Sequence, residues 1–303
     1  MAEHFVQPPH WEWWIALYFF VAGIAGGAYT LATMLRVWGS PRDEATARIG
    51  FMWAFPLAVL CGIFLTVDLG QPLRFWHMMI NTTPGATGLN FKAWSPISLG
   101  TWALLLFSLF SFVSFIEVVT KRGNDRTPAS GGMVIWNVLG SIVALFLASY
   151  TGVVLSVSNQ PVWSDSYSIG GLFVASALSA SSAFLAFMSR YRTDSAFNTE
   201  SRLEQADGYF VVLELIMIAS FFTTLSMAGS LWRELQPQFL IGWILVLASM
   251  IPPLMGLAGS RVRYSGGGTL AATRVAAGTG VGAIVVMLGV LILRFVVIFS
   301  AQF

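Results

Sequence analysis

Residues Trp14–Leu35 read WIALYFFVAGIAGGAYTLATML, an apolar run without a charged side chain. A helix needs roughly 20 such residues to cross the hydrocarbon core of a bilayer. Seven further runs meet this requirement, approximately Ile49–Val67, Pro96–Val118, Met133–Val157, Ile169–Ser189, Tyr209–Leu231, Phe239–Ala258 and Gly278–Ser300. None shows the period-two alternation of a transmembrane β-barrel. The sequence therefore predicts an all-α polytopic membrane protein with eight transmembrane helices, arranged as two four-helix bundles.

The composition extends this prediction to the whole chain. Of the 303 residues, 56% are hydrophobic and 10% are charged, against about 25% charged in soluble proteins. No loop is long enough for a soluble domain, so residues 1–303 are expected to form one integral membrane domain with an outside tail at 1–13. The basic residues are scattered and the net charge is only +2. Lipid is therefore an expected partner and nucleic acid is not.

The basic residues also predict the orientation, because cytoplasmic loops of membrane proteins are enriched in lysine and arginine. The four odd-numbered loops carry twelve: Arg36, Arg42, Arg48, Lys121, Arg122, Arg126, Arg190, Arg192, Arg202, Arg261, Arg263 and Arg274. The other side carries three: Arg74, Lys92 and Arg233. We therefore expect the odd loops in the cytoplasm and both termini outside.

Few side chains are available to bind metal. Cys61 is the single cysteine, which excludes a disulfide framework and any thiolate-held cluster within this chain. A membrane haem held by two imidazoles needs a histidine pair on facing helices. His4 and His10 precede the first run and His77 follows the second. The chain is expected to hold no haem, no iron–sulfur cluster and no metal.

Ionisable residues at membrane depth need a reason, because insertion of each costs about 2.5–3.5 kcal/mol. Asp68 ends the second helix; either it pairs with Arg74 at the helix end or it has a functional role. Arg294 lies in the eighth helix. It can extend to the outer interface, pair with Asp68, or contribute to site electrostatics beside a quinone.

Two acidic residues lie towards the cytoplasm. Glu117 ends the third helix beside Lys121 and Arg122, and we interpret it as an interfacial residue that pairs with them. Glu214 lies within the sixth helix, with no basic residue within four positions. It should face protein or water, and we expect it to belong to a proton path that also includes Asp68.

Two tyrosines complete a candidate site on the outer side. Tyr18 lies one turn into the first helix, and Tyr150 lies two turns from the outer end of the fourth. The Tyr150 hydroxyl needs a partner at that depth, and the adjacent Ser149 and Gly152 are expected to leave room for a flat ligand. With Asp68 and His77, these phenols could bind a quinone headgroup and exchange its protons. A transporter could carry the same residues.

The order of several motifs resembles the polysulfide reductase/NrfD-type membrane subunits over nearly the whole chain. The motifs are Trp13–Phe20 followed by Gly23 and Gly26-Gly27, Asp68–His77, Ser95–Gly100, Ser149–Gly152, Glu214-Leu215 and Leu293–Phe295. The chain departs from the usual pattern at Gln71, where arginine is common. It also departs at Tyr18 and Ile15, where some members have histidine and asparagine.

This resemblance implies a subunit in a bacterial or archaeal cytoplasmic (inner) membrane. Such subunits exchange electrons between menaquinone or ubiquinone and a ferredoxin-like iron–sulfur subunit on the periplasmic face. Beyond that subunit lies a molybdopterin enzyme or a multihaem cytochrome. By position, Tyr150 would bind a quinone oxygen with Asp68 nearby. Some members are proposed to move protons, and Glu214 would be the candidate.

Three functional interpretations follow from the sequence. The favoured one is a quinol-oxidising or quinone-reducing subunit of an oxidoreductase complex. A secondary transporter is the first alternative, although Pro252-Pro253 is the only strong helix break and paired breaks are the usual sign of a midplane substrate site. A purely structural, non-catalytic membrane anchor is the second.

Overall fold

The computed structural model describes residues 9–85, 87–121, 129–190, 197–263 and 272–302. Within these ranges there are ten α-helices: α1 Trp13–Trp38, α2 Glu44–Asp68, α3 Pro96–Thr120, α4 Gly131–Ser156, α5 Ile169–Ser189, α6 Phe197–Ala228, α7 Leu231–Glu234, α8 Pro237–Ser249, α9 Ile251–Arg263 and α10 Ala272–Phe299. A 3-10 helix at Pro72–Met78 and a short antiparallel pair, β1 Ile80–Asn81 with β2 Gly88–Leu89, lie between α2 and α3. Eight helical spans are long and apolar enough to cross a membrane, as predicted.

The helices pack as two bundles, in line with the predicted arrangement. Helices α1 to α4 pack in chain order, and α4 closes on α1. The second bundle contains α5, α6, the α8–α9 pair and α10. Helix α1 also contacts α5 and α10, so it joins the two bundles.

Small residues explain this central position of α1. A Cβ atom at Gly26 would lie 2.8 Å from the carbonyl oxygen of Ala144 in α4. At Gly27 it would lie 2.2 Å from Ser181 Oγ in α5. Glycine therefore allows α1 to approach both neighbours closely, as small residues do between transmembrane helices.

Because the spans alternate in direction, the bundle has two ends. One end is where α1, α3 and α5 begin and where α2, α4 and α6 end, and we call it the N-terminal end. The other is the opposite end. The 3-10 helix and the β1–β2 pair lie at the N-terminal end, with α7.

Two spans differ from the sequence prediction. The sixth begins at Phe197, not Tyr209, and therefore includes Asp207 within the helix. The seventh is not one continuous helix but is divided at Met250 into α8 and α9. Pro252 and Pro253 account for the division, because proline lacks the amide hydrogen that a continuous helix needs.

Candidate functional site

Tyr150 is anchored to the beginning of α3. Ser95 caps that helix by accepting a hydrogen bond from the Ser98 amide, and Pro96 occupies the first turn, as its sequence predicts. The Tyr150 hydroxyl donates to the Pro96 carbonyl oxygen at 2.6 Å. The ring lies directly over Gly100, where a Cβ atom would approach it to 2.2 Å. The Tyr150 hydroxyl, which was predicted to need a partner, is thus hydrogen-bonded to a backbone carbonyl group.

The predicted space beside Gly152 is absent. A Cβ atom at Gly152 would lie 2.6 Å from the Ile169 carbonyl oxygen and 2.8 Å from Gly170. The beginning of α5 therefore occupies the volume that the sequence left open for a flat ligand. Glycine at position 152 allows α4 and α5 to meet there, so the expectation of open space for a flat ligand was wrong.

Tyr18 and Tyr150 lie near one another, as their predicted depths indicated. Tyr18 is buried and interacts electrostatically with both Cys61 and Tyr150. The Cys61 sulfur also donates a weak hydrogen bond to the Tyr18 carbonyl oxygen at 4.0 Å. Helices α1, α2 and α4 therefore bring two phenols and one thiol together towards the N-terminal end.

Asp68 lies half-buried at the end of α2. It forms no hydrogen bond or ion pair with the residues that the structure describes, although it interacts electrostatically with Glu12. Arg74 is exposed on the 3-10 helix and does not pair with Asp68. The predicted helix-end pair is therefore absent, and the Asp68 carboxylate is available to another partner.

His77 lies in the same 3-10 helix and is half-buried. Its ring stacks on that of Trp76 at a centroid distance of 3.8 Å. Its carbonyl oxygen accepts a hydrogen bond from Asn90 at 3.2 Å. The structure places His77, Asp68 and Tyr150 towards one end of the bundle, and no hydrogen bond among the described residues joins His77 to either of the other two.

These groups suit a ligand that donates hydrogen bonds. The Tyr150 proton is already directed at Pro96, so the phenol oxygen offers its lone pairs. Asp68 offers carboxylate oxygens, and a neutral imidazole at His77 offers one nitrogen acceptor. A ligand with two hydroxyl groups would supply donors of the matching type. A quinone carbonyl would require the Tyr150 hydroxyl to turn away from Pro96.

Arg294 is fully buried within the second bundle and does not extend to the interface. Its Nη2 donates to the Phe173 carbonyl oxygen at 3.0 Å, and its Cζ lies 3.7 Å from the centre of the Phe173 ring. Its electrostatic partner is Glu214 from α6, not Asp68. Both the interfacial position and the pairing with Asp68 were therefore wrong.

Glu214 is buried, as predicted, and it has a neighbour that the sequence did not suggest. It interacts electrostatically with Arg294 and with Asp207, seven residues earlier in α6. Asp207 is also buried and accepts a hydrogen bond from Ser179 Oγ at 2.6 Å. Asp207 was missed because the predicted helix began after it. Its spacing from Glu214, two helical turns, was the available signal.

A second polar cluster lies at the opposite end of the first bundle. Arg36 pairs with Glu44 at 2.5 Å and Glu117 at 3.1 Å, and donates to Asn137 Oδ1 at 2.8 Å. Glu117 also pairs with Lys121 at 3.0 Å. The predicted pairing of Glu117 with Lys121 is thus confirmed, whereas Arg122 lies outside the described residues. Glu117 also links α3 to α1 through Arg36.

The cluster continues into the bundle through neutral groups. Asn137 Nδ2 donates to Ser114 Oγ at 2.8 Å and to the Tyr29 hydroxyl at 3.2 Å. Tyr29 and Ser114 are themselves hydrogen-bonded at 2.9 Å. Each side chain of this inner group has a partner, so the arrangement suits a structural connection among α1, α3 and α4.

Glu234 forms a third buried group, at the N-terminal end but outside the membrane-spanning segments. Trp243 Nε1 and Ser300 Oγ donate to its two carboxylate oxygens at 2.7 and 2.6 Å. Burial raises the pKa of Glu234 to about 7, although both hydrogen bonds act in the other direction. This group was not anticipated, because its partners come from α8 and the end of α10.

Comparison with known proteins identifies the family. The family model described as "Polysulphide reductase, NrfD" matches residues 3–303. The chain belongs to the NrfD family. The resemblance inferred from the motifs is therefore confirmed over the whole chain, and this NrfD-family chain is a multi-pass membrane protein.

Two relatives in the NrfD family match at nearly full length. Protein NrfD of Escherichia coli (strain K12) is 25% identical over 96% of this chain and 95% of that protein. A polysulfide reductase chain of Wolinella succinogenes is 24% identical over 96% of this chain and 94% of that protein. A tetrathionate reductase subunit of Salmonella typhimurium is 32% identical over 60% of this chain, and the match spans only 49% of that relative.

No group of three or more histidine, cysteine, aspartate or glutamate side chains is arranged to hold a metal ion in the described part of this NrfD-family chain. The polar side chains of the sites described above are instead phenols, carboxylates, one imidazole and buried arginines.

Proposed function

We propose that this chain is the membrane subunit of a respiratory reductase complex. In this proposal it exchanges electrons between menaquinone or ubiquinone in the bilayer and a ferredoxin-like iron–sulfur subunit. The family match over residues 3–303 carries the proposal. The polysulfide reductase and tetrathionate reductase relatives are each named as one part of a reductase, which supports membership of a multisubunit complex.

The acceptor groups at the N-terminal end support a quinol site there. Bound quinol supplies two electrons and two protons. The Tyr150 oxygen, held by Pro96, accepts a hydrogen bond from one quinol hydroxyl. Asp68, which has no partner among the described residues, accepts a proton, and His77 passes protons to water from its half-buried position. Tyr18 supports Tyr150 from α1.

The partner subunit belongs at the same end of the bundle. The twelve-to-three distribution of basic residues favours the opposite end in the cytoplasm and both termini in the periplasm. The quinol site then lies near the outer surface. An iron–sulfur cluster docked over it can accept electrons without a redox centre crossing the membrane, and can pass them to a molybdopterin or multihaem cytochrome subunit.

Purification of the native complex tests this function against its alternatives. We expect the chain to co-purify with an iron–sulfur subunit and to yield quinone on solvent extraction. A transporter would purify without redox partners. A structural anchor would purify with partners but without quinone, and either result would overturn the proposal.

Tyr150→Phe tests the site within the complex. Loss of the hydroxyl should reduce quinol-dependent turnover about a hundredfold, because the quinol loses the hydrogen-bond acceptor that orients it, and misplacement by about 1 Å can reduce turnover that much. Subunit assembly should be unchanged, since the ring remains over Gly100. Tyr167→Phe is the matched control, because Tyr167 is 84% exposed at the same end. Equal turnover in both variants would remove Tyr150 from the site.

A further inference from the structure

Four acidic residues of α6 form a line from the opposite end to the middle of the bundle. These residues are Glu200, Glu204, Asp207 and Glu214. Their spacings of four, three and seven residues place them on one face of the helix. At 1.5 Å per residue the line spans about 21 Å. The first two are half-buried and the last two are buried, so the inner pair is shielded from solvent and the pair nearest the opposite end is not.

Helix α5 binds the part of this line that lies nearest the opposite end. Arg190, at the end of α5, pairs with Glu200 and, at 3.1 Å, with Glu204. One turn further in, Ser179 Oγ donates to Asp207. Carboxylates and hydroxyls thus follow one another along the α5–α6 contact. Such groups can exchange protons directly or through a single water molecule.

The inner end of the line contains buried polar atoms without hydrogen-bond partners. Glu214 Oε1 is one, and Nε and Nη1 of Arg294 are two more. Glu214 and Arg294 interact electrostatically but form no direct ion pair within the described residues. Unpaired buried polar groups are costly and are normally satisfied, commonly by water. These three atoms are therefore candidates for binding water, through which Glu214 can exchange a proton.

Apolar residues close the line towards the N-terminal end. The next positions on the same face of α6 are Ile218, Phe221 and Leu225, and all three are buried. They offer no group that can carry a proton. On this face of α6 the polar line therefore reaches the opposite end and stops at Glu214 towards the N-terminal end.

We propose that Glu214 and Arg294 form a proton-binding site that exchanges with the opposite end through Asp207 and Glu204. This inference goes beyond the proposed function, in which quinol protons leave through Asp68 and His77: it assigns a separate route, its direction and the role of Asp207, and Asp68 is not part of that route. Glu214 binds the proton, and on release it becomes a carboxylate that Arg294 stabilises. The proton passes along a chain of water molecules to Asp207, about 10 Å away along the helix axis, then to Glu204 and to water at the opposite end.

Infrared spectroscopy of the complex in lipid tests the proton-binding group. We expect a carbonyl-stretching band from a protonated carboxyl group, and Glu214→Gln should abolish it. Asp207→Asn should leave the band but slow its hydrogen–deuterium exchange about a hundredfold. Glu117→Gln is the control, because that carboxylate pairs with Arg36 and Lys121 in the other bundle. A band that persists in Glu214→Gln would overturn the proposal, as would unchanged exchange in Asp207→Asn.

Cysteine labelling tests the direction of access. In vesicles of known orientation, Asp207→Cys should react with a charged, membrane-impermeant thiol reagent from the opposite end only. Phe221→Cys should react from neither side, and the unsubstituted protein controls for buried Cys61. Labelling of Asp207→Cys from the N-terminal end, or a complete lack of labelling, would contradict the proposal.

Neither measurement depends on quinol turnover. A complex without quinone would refute the proposed function and leave the proton site to be judged by its own spectrum. Conversely, failure of the labelling and infrared tests would leave the quinol site at Tyr150 untouched.

Discussion

Gly100→Ala tests whether the position of Tyr150 matters, because it moves the ring without altering the phenol itself. The new methyl carbon would lie 2.2 Å from Cε1 and Cζ of Tyr150 and 2.3 Å from its oxygen. Normal contacts between such atoms are about 3.5–4.0 Å, so the ring must move by more than about 1 Å or α3 and α4 must separate. Either movement breaks the hydrogen bond to Pro96.

Both the stability and the activity should change. Overpacking costs about 1–3 kcal/mol, and the lost hydrogen bond adds about 1 kcal/mol. Misplacement of a positioning group by about 1 Å can reduce turnover a hundredfold. We therefore expect a lower unfolding temperature in detergent and about a hundredfold lower quinol-dependent turnover of the purified complex.

Gly62→Ala is the matched control, since a Cβ atom at Gly62 meets nothing within 4 Å. It should keep both values close to those of the unsubstituted protein. If Gly100→Ala is less stable but turns over quinol normally, Tyr150 is a packing residue and the proposed site is wrong. If its stability is also unchanged, the described contact between α3 and α4 is itself incorrect.

Two further predictions concern stability. Glu234 binds its proton more tightly in the folded protein than in the unfolded chain, because burial raises its pKa from 4.5 to about 7. Its contribution to the free energy of unfolding is at most about 3 kcal/mol. This contribution is complete below pH 4.5 and is lost as the pH rises through about 7. Glu234→Gln should therefore flatten the decline of unfolding temperature over this interval, and an identical decline in both proteins would contradict this assignment. Gly27→Ala would place a methyl carbon 2.2 Å from Ser181 Oγ. The substitution should destabilise the contact between α1 and α5 by about 1–3 kcal/mol. An unfolding temperature equal to that of Gly62→Ala would show that the helices do not meet there.

Much of the membrane architecture was predictable because helix insertion depends on the apolar content of a local segment. The limits of α5, Ile169–Ser189, agree with the prediction, and α3 begins at Pro96 as predicted. Helix α6 was harder, because its first turns contain Glu200, Glu204 and Asp207. Their burial depends on Arg190 and Ser179 from α5, and no local hydropathy pattern contains that information.

The candidate site was predictable in its residue types but not in its contacts. The depth of Tyr150 indicated that its hydroxyl needs a partner, yet only the packing of α4 on α3 identifies the Pro96 carbonyl. Gly152 suggested open space, but α5 fills it. Two different uses of glycine, ligand space and close helix contact, have the same appearance in a sequence.

The sequence by itself indicated a membrane protein, predicted eight membrane-spanning helices and carried the motifs of the NrfD family, which the family model then identified. These properties follow from local composition and motif order. Only the tertiary structure decided that Arg294 faces Glu214 and not Asp68, that Asp207 continues the polar line of α6, and that Glu117 joins Arg36. Pairing energies depend on distances between helices far apart in the sequence, and packing alone sets those distances.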